Sequence, residues 1–396
     1  MKNIVISSGS LLMGGIERVL IEVLKNLDKS KYRIFLFIEK DFGKSNVFYN
    51  EVPKDIEVFF LKSEALIKKS ENYRSKKKNL YYKLLYNIQM KKERKVGYEN
   101  FFRFLKEIEE KYGEIETFID FDCGKNKIIK KVNIKNKLAW IHISMKKLLK
   151  DKVKIFRFGQ KLKGYDKVVT ICDEMSEELK EIYPYLENKI VRCYNPFDFN
   201  RIIKLSEDYT ELNDMEKELI KKDKYVVAIS RLALEQKDYK TLIQGYKLYF
   251  KNGGKYKLYI VGDGSDKEKI SRIIKENGLE KQIILLGQKK NPYVWMKNSK
   301  FFVHSSFYEG LPTVLIEAMI CGKVVLSSDC STGPKEILNK ENCGVLFKTG
   351  DQKDLAEKLL NLTNEDLSLY QKKIKSRIEE FKMENVIKEY EKLIGE

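Results

Sequence analysis

Twice along this chain a short run of apolar, often β-branched residues opens onto a loop and then a helix of 3.6-residue period, and more strand-length runs follow. Strands written this way are buried on both faces, which requires helices on both sides of a mainly parallel sheet. In the first instance Asn3–Ser7 reads as a strand, and Gly9, Gly14 and Gly15 lie in the loop that follows. A helix then runs from Ile16 to Leu27, with Val19, Leu20, Val23, Leu24 and Leu27 on one face, before a second strand at Tyr32–Glu39. In the second instance the strand is Tyr225–Ser230, the helix Tyr239–Phe250 and the next strand Lys257–Val261. The pattern predicts two doubly wound α/β units in tandem.

Further strands are expected at 56–61, 115–120, 137–141, 167–171 and 189–193, with helices at 98–111 and 173–182. In the second half we expect helices at Lys267–Asn277, Thr313–Ile320, 352–362, 366–379 and 384–394. Strands are expected there at 282–286, Phe301–His304 and Val324–Ser327. Asn195-Pro196 disfavours helix at Asn195, and the charge balance changes there. Residues 1–195 carry 42 basic and 27 acidic side chains against 35 and 31 in the remainder. We therefore expect domains at 1–195 and 196–380, with a C-terminal helical segment at 381–396 packing back toward the first. A basic first half suggests an anionic partner.

The six cysteines form no CxxC pair and there are two histidines, so a zinc site is not expected. The short apolar run at the N-terminus is interrupted by Glu17 and Arg18 and does not read as a signal segment. No transmembrane helix is expected. The expected setting is cytoplasmic, with a peripheral place at the inner face of the cell membrane.

Ser306-Phe307-Tyr308-Glu309-Gly310-Leu311-Pro312-Thr313-Val314-Leu315-Ile316-Glu317 joins a strand to a helix. Pro312 suits the first helical position, and the N–H groups near Thr313 and Val314 offer a positive terminus for phosphate. Glu309 precedes that terminus and Glu317 lies one turn inside it; both carboxylates can accept hydroxyl hydrogen bonds. Two solvated glutamates flanking a capped helix would look the same at this level. In Ser230-Arg231-Leu232-Ala233-Leu234-Glu235-Gln236-Lys237-Asp238, Arg231 follows a strand and Lys237 precedes a helix capped by Asp238. Two cations on one crevice suit a diphosphate.

The segment Glu309 to Glu317, with Ser327-Ser328-Asp329-Cys330-Ser331-Thr332-Gly333-Pro334-Lys335-Glu336-Ile337 downstream, resembles the Glu-x7-Glu region of the retaining glycosyltransferases of family four. Arg231 and Lys237 resemble that family's Arg-Leu…Lys signature, and Gly14-Gly15-Ile16-Glu17-Arg18 its N-terminal Gly-Gly-x-Glu-Arg pattern. The resemblance implies the GT-B fold: two Rossmann-like doubly wound parallel-sheet domains facing an interdomain cleft. It implies that Glu309 contacts the donor sugar and Glu317 the nucleotide ribose, while Arg231 and Lys237 hold the diphosphate. Gly310, Leu311, Pro312 and Thr313 approach the sugar and diphosphate, and Gly14 and Gly15 face the donor phosphates. Gly262 belongs to a Gly-x-Gly after a donor-domain strand; Gly287 and Gln288 border the base. In Ala139-Trp140-Ile141-His142, a similar Trp-x-His stretch places His142 on the acceptor side; His304 is read as a buried strand residue only.

The function implied is transfer of a hexosyl or N-acetylhexosaminyl group from a nucleotide-sugar, UDP-sugar above GDP-sugar, to a glycan or lipid-linked acceptor. Anomeric configuration is retained and no metal or other cofactor is needed. Asp120-Phe121-Asp122 is formally a DxD but lies in the half opposite the donor site, where it reads as a strand end. Residues 62–103 hold 13 basic and four acidic side chains interleaved with Leu80, Tyr81, Tyr82, Leu84, Leu85, Tyr86, Ile88 and Met90. That is the composition of a basic helix lying in anionic lipid headgroups. A nucleotide-sugar epimerase or another enzyme on the same fold is the first alternative. A basic nucleic-acid-binding protein is the second; the absence of any reading motif argues against a nucleic-acid partner.

Overall fold

In a computed structural model, which describes residues 1–145 and 151–395, the chain divides into two compact units. Unit 1 comprises Met1–Ile171, Ser176–Pro196 and the stretch from Val386 onward. Unit 2 comprises Cys172–Met175 and Phe197–Asn385.

Unit 1 is built on seven parallel strands: β1 Lys2–Ser8, β2 Tyr32–Ile38, β3 Glu57–Phe60, β4 Ile115–Asp120, β5 Asn136–Ile141, β6 Lys167–Thr170 and β7 Ile190–Arg192. They are ordered β3-β2-β1-β4-β5-β6-β7. Unit 2 has six: β8 Tyr225–Ile229, β9 Lys257–Val261, β10 Ile283–Gly287, β11 Phe302–His304, β12 Val325–Ser328 and β13 Val345–Phe347. Their order is β10-β9-β8-β11-β12-β13, again all parallel. Each sheet winds outward from its first strand in both directions. The strand order therefore reverses beside β1 and β4 in one unit and beside β8 and β11 in the other, and a crevice opens there at the carboxyl ends of the strands.

Residues on the central strands are buried almost without exception: Ile4, Val5 and Ile6 in β1, and Val226 and Val227 in β8, have no exposed surface. Such strands are fixed by burial on both faces rather than by alternation, which is why their positions are legible in the sequence.

Several elements differ from expectation. The helix foreseen at 98–111 is the end of a 33-residue helix, Leu80–Tyr112, preceded by a separate helix, Glu64–Ser75. Asn79 caps its start by accepting from Tyr81 N, and Gly113, at φ +86°, ends it. Its buried positions recur about every four residues, at Gln89, Glu93, Gly97, Phe101, Leu105 and Ile108, and half of them are not large apolar residues. A stripe held partly by polar contacts, such as Ser70 Oγ to Glu93, leaves no apolar periodicity to read. The three-residue β13 is too short to announce itself. The helices Lys152–Leu162, Phe199–Ser206 and Asp214–Lys222 were also not foreseen.

The helix Met383–Gly395 ends the described chain; the expected segment 381–396 runs one residue beyond it. From Val386 its residues belong to unit 1. Tyr390 stacks on Trp140 with ring centroids 4.8 Å apart, and Asn136 Nδ2 donates to the carbonyl of Leu393 at 2.9 Å. Trp140 and Tyr390 are fully buried. Replacing Tyr390 by Ala removes a large aromatic from this core and should cost about 3–5 kcal/mol of unit 1 stability. Urea unfolding followed by the fluorescence of Trp140, in a Trp295→Phe background, measures it; an unchanged midpoint would contradict this packing.

Candidate functional site

The crevice at the carboxyl ends of β8 and β11 is where the sequence-predicted charged residues of unit 2 converge. β8 ends at Ile229 and its chain continues through Ser230, Arg231, Gln236 and Lys237. β11 ends at His304 and continues through Ser306 and Glu309. The two loops are zipped together by backbone bonds: Asp238 N to Ser305 O at 3.0 Å and Phe307 N to Gln236 O at 2.9 Å, with a bridge between Lys237 and Ser306. Asp238 caps the helix Tyr239–Lys251 by accepting from Thr241 N, as the sequence suggested.

Into this junction projects Glu309, 7% exposed. Its Oε1 receives Lys237 Nζ at 2.5 Å and His304 Nε2 at 3.1 Å; its Oε2 receives Gln236 Nε2 at 3.2 Å. Gln236 in turn accepts from Arg231 Nη2 at 3.2 Å. Burial acts to raise the Glu309 pKa, but the His304 hydrogen bond and the Lys237 charge outweigh it and hold the pKa down at about 2. Burial, then the Lys237 charge, lower that of His304, so the ring is neutral at physiological pH. Glu309 is therefore not a solvated loop residue. Arg231, by contrast, is exposed.

Pro312 proves to be the cap residue of the helix Thr313–Ile320 rather than its first residue, because its ψ of 95° is extended. Its carbonyl still accepts from Leu315 N. The first-turn N–H groups of Thr313 and Val314 have no partner within the helix. Both residues are partly exposed, as is Glu317 one turn on, while Leu315, Ile316 and Ala318 are buried. Gly310 and Leu311 complete the loop; Gly333 is pressed so close that a Cβ there would lie 2.5 Å from Gly310 O.

Gly262, after β9, has φ +148°, and a Cβ on it would come within 2.0 Å of Ser230 O. Only glycine admits that approach, which seats the turn against the Arg231 loop. Gly287, at φ +72°, ends β10 and accepts from Gly262 N at 2.9 Å; Gln288 follows.

Gly14, Gly15 and His142 lie in unit 1. Gly14 caps the helix Gly15–Asn26, with the carboxylate of Glu17 folded over it. His142 follows β5; its Nε2 lies 2.7 Å from Phe121 O, and burial pushes its pKa down to about 4. At the end of β4, Asp120 is fully buried and accepts from Lys125 N and Tyr165 OH. Burial, then the neighbouring Asp122, raise its pKa to about 7. Asp122 accepts from Gly124 N at 3.1 Å. Among the described residues no group of three or more His, Cys, Asp or Glu side chains is placed to hold a metal ion. Sequence reasoning missed His304, Gln236 and Ser306; the available signal was that His304 and Glu309 lie at the two ends of one strand-to-helix loop.

Residues 210–381 match the family model of the group 1 glycosyl transferases. An uncharacterized glycosyltransferase of Methanocaldococcus jannaschii is 30% identical over 304 residues, covering 68% of this chain and 74% of the relative. The chain belongs to the group 1 glycosyltransferases. The poly(ribitol-phosphate) α-N-acetylglucosaminyltransferase of Staphylococcus aureus is 29% identical over 217 residues, which cover 55% of this glycosyltransferase and 42% of that protein. Among solved structures, Anabaena HepE in complex with UDP superposes with a TM-score of 0.75 at 16% identity, covering both chains completely. The two Rossmann-like units of this glycosyltransferase are those of the GT-B fold.

Its folded-state pKa for Glu309 is depressed from the ordinary 4.5. The resulting stability is present in full above the unfolded pKa and is lost as pH falls toward 2, a contribution of about 3 kcal/mol at neutral pH. Glu309→Gln should therefore destabilise the protein at pH 7, and the gap to wild type in chemical denaturation should close between pH 5 and 2. A gap independent of pH would show that the carboxylate is not held ionised.

Proposed function

We propose that this glycosyltransferase moves a hexosyl or N-acetylhexosaminyl group from a UDP-sugar to a glycan or lipid-linked acceptor, with retention and without a metal. The observation that carries this reading is the convergence of Arg231, Lys237, Glu309 and the Thr313–Ile320 helix start on one crevice in unit 2. Arg231 and Lys237 are the cations for the diphosphate, assisted by the N–H groups of Thr313 and Val314. Glu309 takes the donor sugar and Glu317 the ribose; Gly262, Gly287 and Gln288 border the nucleotide. Together these fixed donors stabilise the charge that develops on the departing nucleotide, the task a metal performs elsewhere. The acceptor hydroxyl attacks the face from which the nucleotide leaves, and the leaving phosphate takes its proton. His142 is assigned to the acceptor. HepE, solved with UDP, supports the choice of nucleotide, and the Staphylococcus relative, by its name, supports an N-acetylhexosamine donor.

Incubation with UDP-glucose, UDP-galactose, UDP-N-acetylglucosamine, UDP-N-acetylgalactosamine and GDP-mannose should give slow nucleotide release from one UDP-sugar. Epimerised donor as product, without nucleotide release, would favour the epimerase alternative. Arg231→Ala and Lys237→Ala should each lower turnover roughly a hundredfold, the usual loss for one contact to developing charge. Wild-type turnover in both would overturn the diphosphate assignment. Activity should survive excess EDTA; abolition by EDTA with restoration by Mn²⁺ would return Asp120 and Asp122 to consideration.

A lipid-linked acceptor suits a chain that lies on an anionic leaflet. No described helix is long and apolar enough to cross a membrane. The start of the helix Leu80–Tyr112 nevertheless exposes Leu80 (79%), Tyr81 (64%), Leu84 (59%) and Ile88 (55%), at helical spacing. Lys76, Lys77, Lys78, Lys83, Lys91 and Lys92 flank them, each worth on the order of 1 kcal/mol near anionic lipid. The protein should float with anionic liposomes at low salt and not with neutral ones. Replacing Lys76, Lys77, Lys78, Lys91 and Lys92 by Gln should abolish flotation while sparing turnover of the soluble donor. Equal flotation with both liposome types would sink the assignment.

A further inference from the structure

We infer that His304 is a positioning residue of the donor site, holding the Glu309 carboxylate in place from the sheet while the other groups that hold it answer to the donor. The inference rests on the reading of Glu309 as the donor-sugar contact.

Three side chains meet at this carboxylate, and they come from two different supports. Lys237 and Gln236 reach it from the loop after β8. That same loop carries Arg231, bonded to Gln236, so a diphosphate bound by Arg231 and Lys237 pulls on both of its other partners. His304 instead closes β11 and is 2% exposed. Its strand is paired with β12 through Phe302 to His304. The neighbouring Ser306 is tied to β12 as well: its N–H donates to Ser328 Oγ, and Ser328 Oγ donates to its carbonyl, both at 2.9 Å.

An ionised carboxylate only accepts hydrogen bonds, so the ring hydrogen is on Nε2. Ser306 Oγ, 3.0 Å from the same nitrogen, shares it. The ring thus points one N–H at Glu309 Oε1 from the end of a sheet strand rather than from the loop that carries Arg231 and Lys237. Burial and the nearby Lys237 keep the imidazole neutral, so the contact is a hydrogen bond that persists when Lys237 turns to phosphate. The titratable groups facing Glu309 are Lys237, His304 and the thiol of Cys330, which burial pushes up to about 12. Without His304 the carboxylate loses the hydrogen bond that does most to hold its pKa down, and that pKa rises.

The test uses the full chain, UDP, and the UDP-sugar that the donor panel selects. His304→Leu should lower kcat for nucleotide release about tenfold or more while the UDP dissociation constant by calorimetry stays within about twofold. Its acid limb in kcat/KM should move to higher pH. His304→Gln, whose amide N–H can stand in for Nε2–H, should recover most of the rate and the wild-type limb. His304→Asn, too short to reach Glu309, should behave like His304→Leu and carries the test if that variant does not fold. Glu309→Gln is the control. If it loses activity while His304→Leu keeps wild-type rate and pH profile, or if Gln fails to restore what Leu loses, His304 only packs and the inference is overturned. If Glu309→Gln itself turns over normally, the donor-site reading fails first.

Discussion

Everything at the unit 2 crevice hangs on one buried ion pair, Lys237 to Glu309 at 2.5 Å. Removing two charges from water costs several kcal/mol each, and the attraction between them repays this only where further hydrogen bonds satisfy the remaining lone pairs. Here they do. Gln236 takes Oε2, His304 shares Oε1, and Thr332 Oγ1 donates to the Glu309 carbonyl. Two loops separated by about seventy residues are in this way locked to each other at the point where the strand order reverses. A hydrophobic contact could join them as firmly, but it would not leave an ammonium and a carboxylate beside an open helix terminus. The cost of the pair is offset by the surrounding polar network.

Close approach of backbones makes the arrangement possible. Gly262 and Gly264 allow the turn after β9 to rest on Ser230 and Leu232, where any side chain would lie 2.0 and 2.4 Å from a carbonyl oxygen. Gly333, at φ +95°, does the same for the loop at Gly310 and Pro312. Of these glycines, Gly264 also donates its N–H to Asp263 Oδ1 at 2.8 Å and Gly333 its own to Glu174 Oε2 at 2.6 Å. They set how near the Arg231 loop and the Glu309 loop come to their neighbours, and thereby where the charged atoms end.

Much of this was legible in the sequence because burial on both faces writes a strand plainly, and because Arg231, Lys237, Glu309 and Glu317 stand at strand ends or helix starts. The rest was hidden for identifiable reasons. The helix Leu80–Tyr112 buries Gln89 and Glu93, so its period is carried by hydrogen bonds rather than by apolar residues. Pro312 reads as a first helical residue, and only its ψ angle makes it the cap. His304 reads as a core histidine on a short strand, and core it is; that its ring aims at Glu309 depends on how the loop 305–309 folds back, which no local pattern encodes. Gln236 is one polar residue in a polar loop until the carboxylate it meets is known.

The two crevices, each considered in its own unit, divide the chemistry. In unit 2 the reversal point gathers Arg231, Lys237 and free N–H groups around one carboxylate whose charge is already matched. In unit 1 the corresponding point carries Asp120, Asp122 and His142, and among the described residues no Arg or Lys is a hydrogen-bond partner of the two aspartates except through the backbone of Lys125. Burial raises both aspartate pKa values and lowers that of His142. These groups can both donate and accept hydrogen bonds. The basic surplus of unit 1 is carried largely elsewhere: residues 62–103 alone contribute 13 basic against four acidic side chains, all the basic ones but Lys62 on or between the helices Glu64–Ser75 and Leu80–Tyr112. Net charge over the first half of the chain therefore says nothing about the ligand of its crevice. It describes an outer surface, and the crevice must be read from its own carboxyl and imidazole groups.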